Sequence, residues 1–145
     1  MKKYFLVKVK FEQVSEIGSI EKVSQQHLVD ALSFTEAETR IIEEMKPFLT
    51  KGGEFEVANI NPQKINEIFY NDSGEKWFKA KVNFISLNEE NGKEKKTAVN
   101  MLAQANDVKD AEQIVKAGMN GTLADYEIAS ISETKILEVF NYKAE

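Results

Sequence analysis

From Tyr4 to Phe11 hydrophobic and polar side chains alternate, with Phe5, Val7, Val9 and Phe11 on one side of an extended backbone and Tyr4, Leu6, Lys8 and Lys10 on the other. A period of two marks a half-buried strand, and it assigns the first set to the core. A turn around Ile17-Gly18-Ser19 leads into a second strand over Glu21–Ala31, so the two predict a hairpin. The period then changes. Ser33 followed three residues later by Glu36 forms a capping box, and from Phe34 onward Ala37, Ile41, Met45 and Phe48 recur at helical spacing. Glu36, Arg40, Glu43 and Glu44 fall on the opposite, outer side, and Pro47 with Gly52-Gly53 ends the helix. Glu54–Ile60 reads as a third strand and Lys64–Tyr70, after Asn61-Pro62, as a fourth. The turn signal Asn71-Asp72-Ser73-Gly74 predicts that this fourth strand doubles back into the next one.

The pattern then repeats. Trp77–Phe84 matches the first strand in phase, with Phe78, Ala80, Val82 and Phe84 on the inner side. Asn91-Gly92 supplies a hairpin turn, and Glu94–Leu102 the return strand. Leu28–Met45 comes back as Leu102–Met119, 74 residues later, as a helix capped by Asp107 that buries Val108, Ala111, Val115 and Met119 and ends at Asn120-Gly121. Asp125–Ile131 echoes Glu54–Ile60 and Lys135–Phe140 echoes Lys64–Phe69, now 71 residues apart. The change in offset is a three-residue deletion opposite Lys51-Gly52-Gly53. The predicted fold is α+β, two tandem β-β-α-β-β repeats over residues 1–72 and 73–145. Each repeat is an antiparallel sheet packed with one helix, and the simplest arrangement is one compact body with the copies about a pseudo-twofold axis.

Composition narrows the functional classes. With 145 residues, 42% hydrophobic and 30% charged, the chain is ordinary for a globular domain, and no segment approaches the roughly 20 apolar residues of a membrane helix. Lysines interrupt the apolar start, M-K-K-Y-F-L-V-K-V-K-F, which reads as a strand rather than a signal peptide. The absence of cysteine excludes disulfides and thiolate chemistry and suits a reducing cytoplasm, the expected location. A net charge of −5 argues against duplex nucleic acid held by bulk electrostatics.

No phosphate-cradling, nucleophile-elbow or zinc-protease motif occurs, so no catalytic residue, metal or cofactor is assigned and the chain is read as a non-enzyme. His27, the single histidine, has Asn100 or Met101 as its counterpart and reads as an ordinary strand residue. The helix carboxylates Glu38, Glu43, Glu44, Asp110 and Glu112 read as solvated faces with i,i+4 pairing. The outward faces of the two first strands are more informative. Tyr4, Lys8 and Lys10 in one copy and Trp77, Lys79 and Lys81 in the other interleave aromatic and basic groups, the combination with which open sheets stack bases and neutralise phosphates. Lys93, Lys95 and Lys96 add positive charge at the neighbouring hairpin. A plainer use of the same residues is solubility for the lysines and rim packing for Tyr4 and Trp77.

The segments L-V-D-A-L-S-F-T-E-A-E, R-I-I-E-E-M-K-P-F and L-A-D-Y-E-I-A-S-I-S-E-T-K-I-L-E-V-F resemble a family found in Bacteroidetes and their phages and catalogued as domain of unknown function 4494. The resemblance spans essentially the whole chain and brings no catalytic residues with it. It implies a small cytoplasmic protein of phage or mobile-element origin. The expected function is therefore binding, as an anti-CRISPR-like inhibitor of a host defence system that engages a nuclease effector or its guide RNA. Two alternatives stand beside it, a sponge for a nucleotide immune signal and an interaction module of phage replication or virion assembly.

Overall fold

A computed structural model describes residues 3–49 and 53–141. Among these residues, eight strands and two α-helices follow one another as β1 (Lys3–Val14), β2 (Ile20–Ala31), α1 (Phe34–Met45), β3 (Phe55–Gln63), β4 (Glu67–Phe69), β5 (Lys76–Leu87), β6 (Glu94–Ala105), α2 (Val108–Gly118), β7 (Asp125–Glu133) and β8 (Ile136–Phe140). The element order β-β-α-β-β occurs twice, and the protein is α+β. Both hairpins form, β1 antiparallel to β2 and β5 antiparallel to β6.

The strands make two separate four-stranded sheets, ordered β3-β1-β2-β8 and β4-β6-β5-β7. The last strand of each repeat has left its own sheet. β8 pairs parallel with β2, and β4 pairs parallel with β6. The chain divides accordingly into unit 1, residues 1–63 with 135–145, and unit 2, residues 64–134, rather than at residue 72. The turn at Asn71–Gly74 is present, with the Gly74 amide donating to the Asn71 carbonyl at 2.8 Å. It does not make β4 and β5 neighbours, because β6 lies between them. A Cβ on Gly74 would overlap the Ala105 backbone, so only glycine lets the chain pass that close to the end of β6.

In unit 1 the inner face of β1 (Phe5, Val7, Val9, Phe11) and Val29 and Ala31 of β2 pack against Ala37, Ile41 and Met45 of α1. In unit 2 Phe78, Ala80, Val82, Met101 and Ala103 pack against Ala111, Val115 and Met119. Full burial of each large side chain contributes about 1.5–3 kcal/mol, which is what fixes the helices on these faces. Ser33 Oγ accepts from the Glu36 amide at 3.1 Å, and Asp107 Oδ1 from the Asp110 amide at 2.7 Å, so both helices start at their expected caps.

Three side chains depart from the helical pattern. Phe48 is 65% exposed, because Pro47 turns the chain into a single 3₁₀ turn at Lys46–Phe48 and carries it off the buried stripe. Val108, the first helical residue, is 50% exposed. Arg40, expected on the outer face, instead turns its guanidinium to the buried Asp30 carboxylate at 2.5 Å, tying α1 to β2. β3 also continues through Pro62, which an edge strand tolerates because one side of its backbone has no strand to pair with. Lys51 and Gly52 of the predicted loop lie outside the described residues.

Candidate binding site

Each sheet has an outward face, turned away from its helix, and its register follows from the pairing. On unit 1 Lys8 stands beside Gln26 of β2 and Asn59 of β3. On unit 2 Lys81 stands beside Asn100 of β6 and Ser130 of β7. The two positions are equivalent down to a backbone irregularity. The register shifts between Lys8 and Val9 against β3 and between Lys81 and Val82 against β7, so Ala58 and Ala129 are left without a direct partner. Such a bulge adds a residue to one strand and re-aims its neighbours. The same alanine recurs in both repeats because the same bulge does.

Among the described residues, Lys8 and Lys81 are exposed and make no ion pair, and they are flanked on both neighbouring strands by uncharged amide or hydroxyl side chains. The other nominated residues are disposed differently. Lys79 is exposed on the same face as Lys81, between Leu102 and Ser132. Lys10 lies in an open groove of about 710 Å³ with Lys22, Glu12, Glu54 and Glu56, so its charge is diluted by acids. Lys95 is exposed but falls on the opposite side of the sheet from Lys79 and Lys81, and Lys93 is exposed in the hairpin connection before β6. Lys96 is on the outward face but held by Glu127 at 2.9 Å. Glu127 also accepts from Asn83 Nδ2 at 3.1 Å. These bonds hold the Glu127 carboxyl below its ordinary value, Asn83 first and then Lys96, and the bond and charge of Glu127 raise Lys96.

The aromatic pair does not form open stacking platforms. Trp77 is only 5% exposed, with its ring edge-on to Tyr70 at 5.7 Å and its carbonyl accepting from both the amide and the hydroxyl of Thr134. Tyr4 is half-buried between Gln63 and the buried Asp30. The face therefore offers cations and amides rather than bases' stacking partners.

A second place carries no binding motif in the sequence. His27 is opposite Val7, on the helix-facing side of β2, and is 2% exposed. Its Nε2 lies 3.1 Å from Gln25 Oε1, its ring stacks on Phe140 at 5.3 Å, and its Nδ1 is buried without a hydrogen-bond partner. Burial pushes the imidazole down from its ordinary 6.5 to about 4. An unsatisfied buried acceptor costs about 1–3 kcal/mol. The ring borders a cavity of about 170 Å³. The sequence signal was the exchange of methionine for histidine between the repeats, but it could be read only once the register settled Met101 over Asn100 as the counterpart.

No three His, Asp or Glu side chains gather as a metal site among the described residues. Among the described residues, no helix is long and apolar enough to cross a membrane. The molecule is thus an internally duplicated α+β protein with repeated basic positions on its outward sheet faces. The family model described as Domain of unknown function (DUF4494) matches residues 3–142, and the chain belongs to that family. No curated protein and no solved structure matches it.

Proposed function

We propose that the protein acts without catalysis, by binding an anionic surface of a macromolecular partner through Lys8 and Lys81. The observation that carries this reading is their equivalence, since each is an exposed, unpaired lysine at the middle of an outward face, flanked by side chains that donate and accept hydrogen bonds. Uncharged polar neighbours leave the lysine's field uncancelled and can bond to phosphate or carboxylate oxygens beside it. A net charge of −5 keeps the rest of the surface from holding polyanions, so contact is confined to these patches.

The partner is a defence effector of the bacterial host, a nuclease or the guide RNA it carries, and the protein inhibits it in the manner of an anti-CRISPR. That part of the reading draws on the phage and mobile-element setting that the family resemblance implies. The test is co-purification with candidate ribonucleoprotein effectors, with and without guide RNA, coupled to a phage-restriction assay. The wild-type chain is expected to bind one effector and relieve restriction, and Lys8→Glu with Lys81→Glu to lose both effects while keeping the same thermal unfolding. Unchanged restriction across the effectors, or full activity in the double variant, overturns it.

A further inference from the structure

The cavity beside His27 has walls of two kinds. Phe11 of β1, Phe48 and Phe140 of β8 contribute rings and Met45 a thioether, while Gln13, Gln25, His27 and Glu138 contribute polar groups. Its volume of about 170 Å³ is close to the roughly 150 Å³ at which an apolar cavity takes up a benzene-sized ring. His27 and Glu138 offer acceptors, while the Gln13 and Gln25 amides can both donate and accept. A Gln carbonyl oxygen only accepts, so the His27 nitrogen 3.1 Å from it, Nε2, carries the proton of the neutral ring and leaves Nδ1 as a bare acceptor. Glu138, opposite His27 across the β2–β8 pair, is an acceptor when ionised, and among the described residues no lysine or arginine lines the space.

The second repeat fills the same two β-strand positions with apolar side chains. Met101 replaces His27, Val99 replaces Gln25, and both belong to the packed apolar interior of unit 2. Glu67 and Phe69 stand opposite Met101 and Ala103, as Glu138 and Phe140 stand opposite His27 and Val29. Gln25 and His27 on β2 are thus polar where β6 of unit 2 carries apolar side chains.

We propose that this cavity binds a small, non-anionic aromatic molecule carrying a hydrogen-bond donor, its ring among the phenylalanines and its donor on His27 Nδ1. The Glu138 carboxylate disfavours phosphorylated ligands, and no described residue of the lining supplies a cation to offset it. This site is independent of the lysine faces.

The probes are phenol and indole, with benzene lacking a donor and benzoate carrying a negative charge, each titrated into the full chain at neutral pH. Because His27 is the only histidine, its imidazole ¹⁵N signals report the contact without ambiguity. Phenol and indole are expected to shift the Nδ1 signal and the Met45 methyl saturably, benzene to bind at least about tenfold more weakly, and benzoate not to bind. In His27→Met, which installs the residue of unit 2, phenol loses its advantage over benzene. Equal affinity for benzene and phenol, an unmoved Nδ1 signal, or no saturation with any probe overturns the proposal, and these comparisons need only the wild-type chain.

Discussion

His27 and Met101 occupy the same position in the two sheets, His27 opposite Val7 and Met101 opposite Ala80. One copy therefore buries an ionisable ring where the other buries a thioether, and the difference must appear as a dependence of stability on pH. Burial holds the His27 imidazole at about 4 in the folded chain against its ordinary 6.5. Above pH 6.5 the ring is neutral in both states and costs nothing in protonation. As the pH falls from 6.5 to 4 the unfolded chain takes up a proton that the folded chain refuses, so stability is lost through that window and levels off below it, by up to about 3 kcal/mol. Among the described residues, Glu138 is the only other ionisable group lining the cavity. Urea unfolding at pH 7 and pH 4.5 should show this loss in the wild type and a flatter profile in His27→Met; an unchanged profile in the variant would place the titration elsewhere.

Gly118 and Phe69 are matched in the same detailed way. A Cβ at position 118 of α2 would overlap the Phe69 ring, which packs onto the unit 2 core from the exchanged strand β4. Alanine in a helix ordinarily gains about 1 kcal/mol over glycine, but overpacking costs about 1–3 kcal/mol. Gly118→Ala is expected to lower stability by about 1 kcal/mol instead of raising it, and to speed amide exchange in Glu67–Phe69. Adding Phe69→Leu should recover part of the loss. A more stable single variant would refute the steric reading.

Lys96 and Lys116 are each held by a carboxylate, Glu127 at 2.9 Å and Glu112 at 2.7 Å, and both are raised above the ordinary lysine value, by the hydrogen bond first and the charge second. In a titration of ¹³C-dimethylated lysines, two resonances should therefore move at a pH above that ordinary value. Glu127→Gln should return the Lys96 signal toward it while leaving Lys116 where it was. Coincident movement of both would mean that the two pairs are not independent.

The local part of this fold was legible in the chain. Alternation in Tyr4–Phe11, the caps at Ser33 and Asp107, and the 74-residue echo each report a contact made within a few residues or a repeat of one, and they place the hairpins, the helices and, apart from Phe48, Val108 and Arg40, the inner faces correctly. The destination of β4 and β8 was not, because Lys64–Tyr70 and Lys135–Phe140 show the same pattern whichever sheet they join. Side-chain fate at element ends was also hidden. Trp77 and Lys81 lie on one outward stripe by alternation, yet Trp77 is buried and Lys81 exposed. Lys96 reads like Lys93 and Lys95 until the register puts Glu127 beside it.

The exchange of β4 and β8 makes its own prediction, since neither repeat contains the fourth strand of its own sheet. Residues 1–72 carry β4, which pairs with β6, and residues 73–145 carry β8, which covers the edge of β2 and brings Phe140 onto His27. Cut at residue 72, each fragment would expose the unpaired backbone of β2 or β6 while holding a strand suited to the other. Each alone should show weak amide protection in its central strands. Mixing the two should give a 1:1 complex, with Gln26–Val29 and Met101–Ala103 regaining slow exchange together. The 1:1 stoichiometry separates this outcome from a fragment pairing with itself, which would appear as homodimers before mixing. Fragments that are fully protected alone and do not associate would show that each repeat can complete its own sheet, and the exchanged arrangement would have to be abandoned.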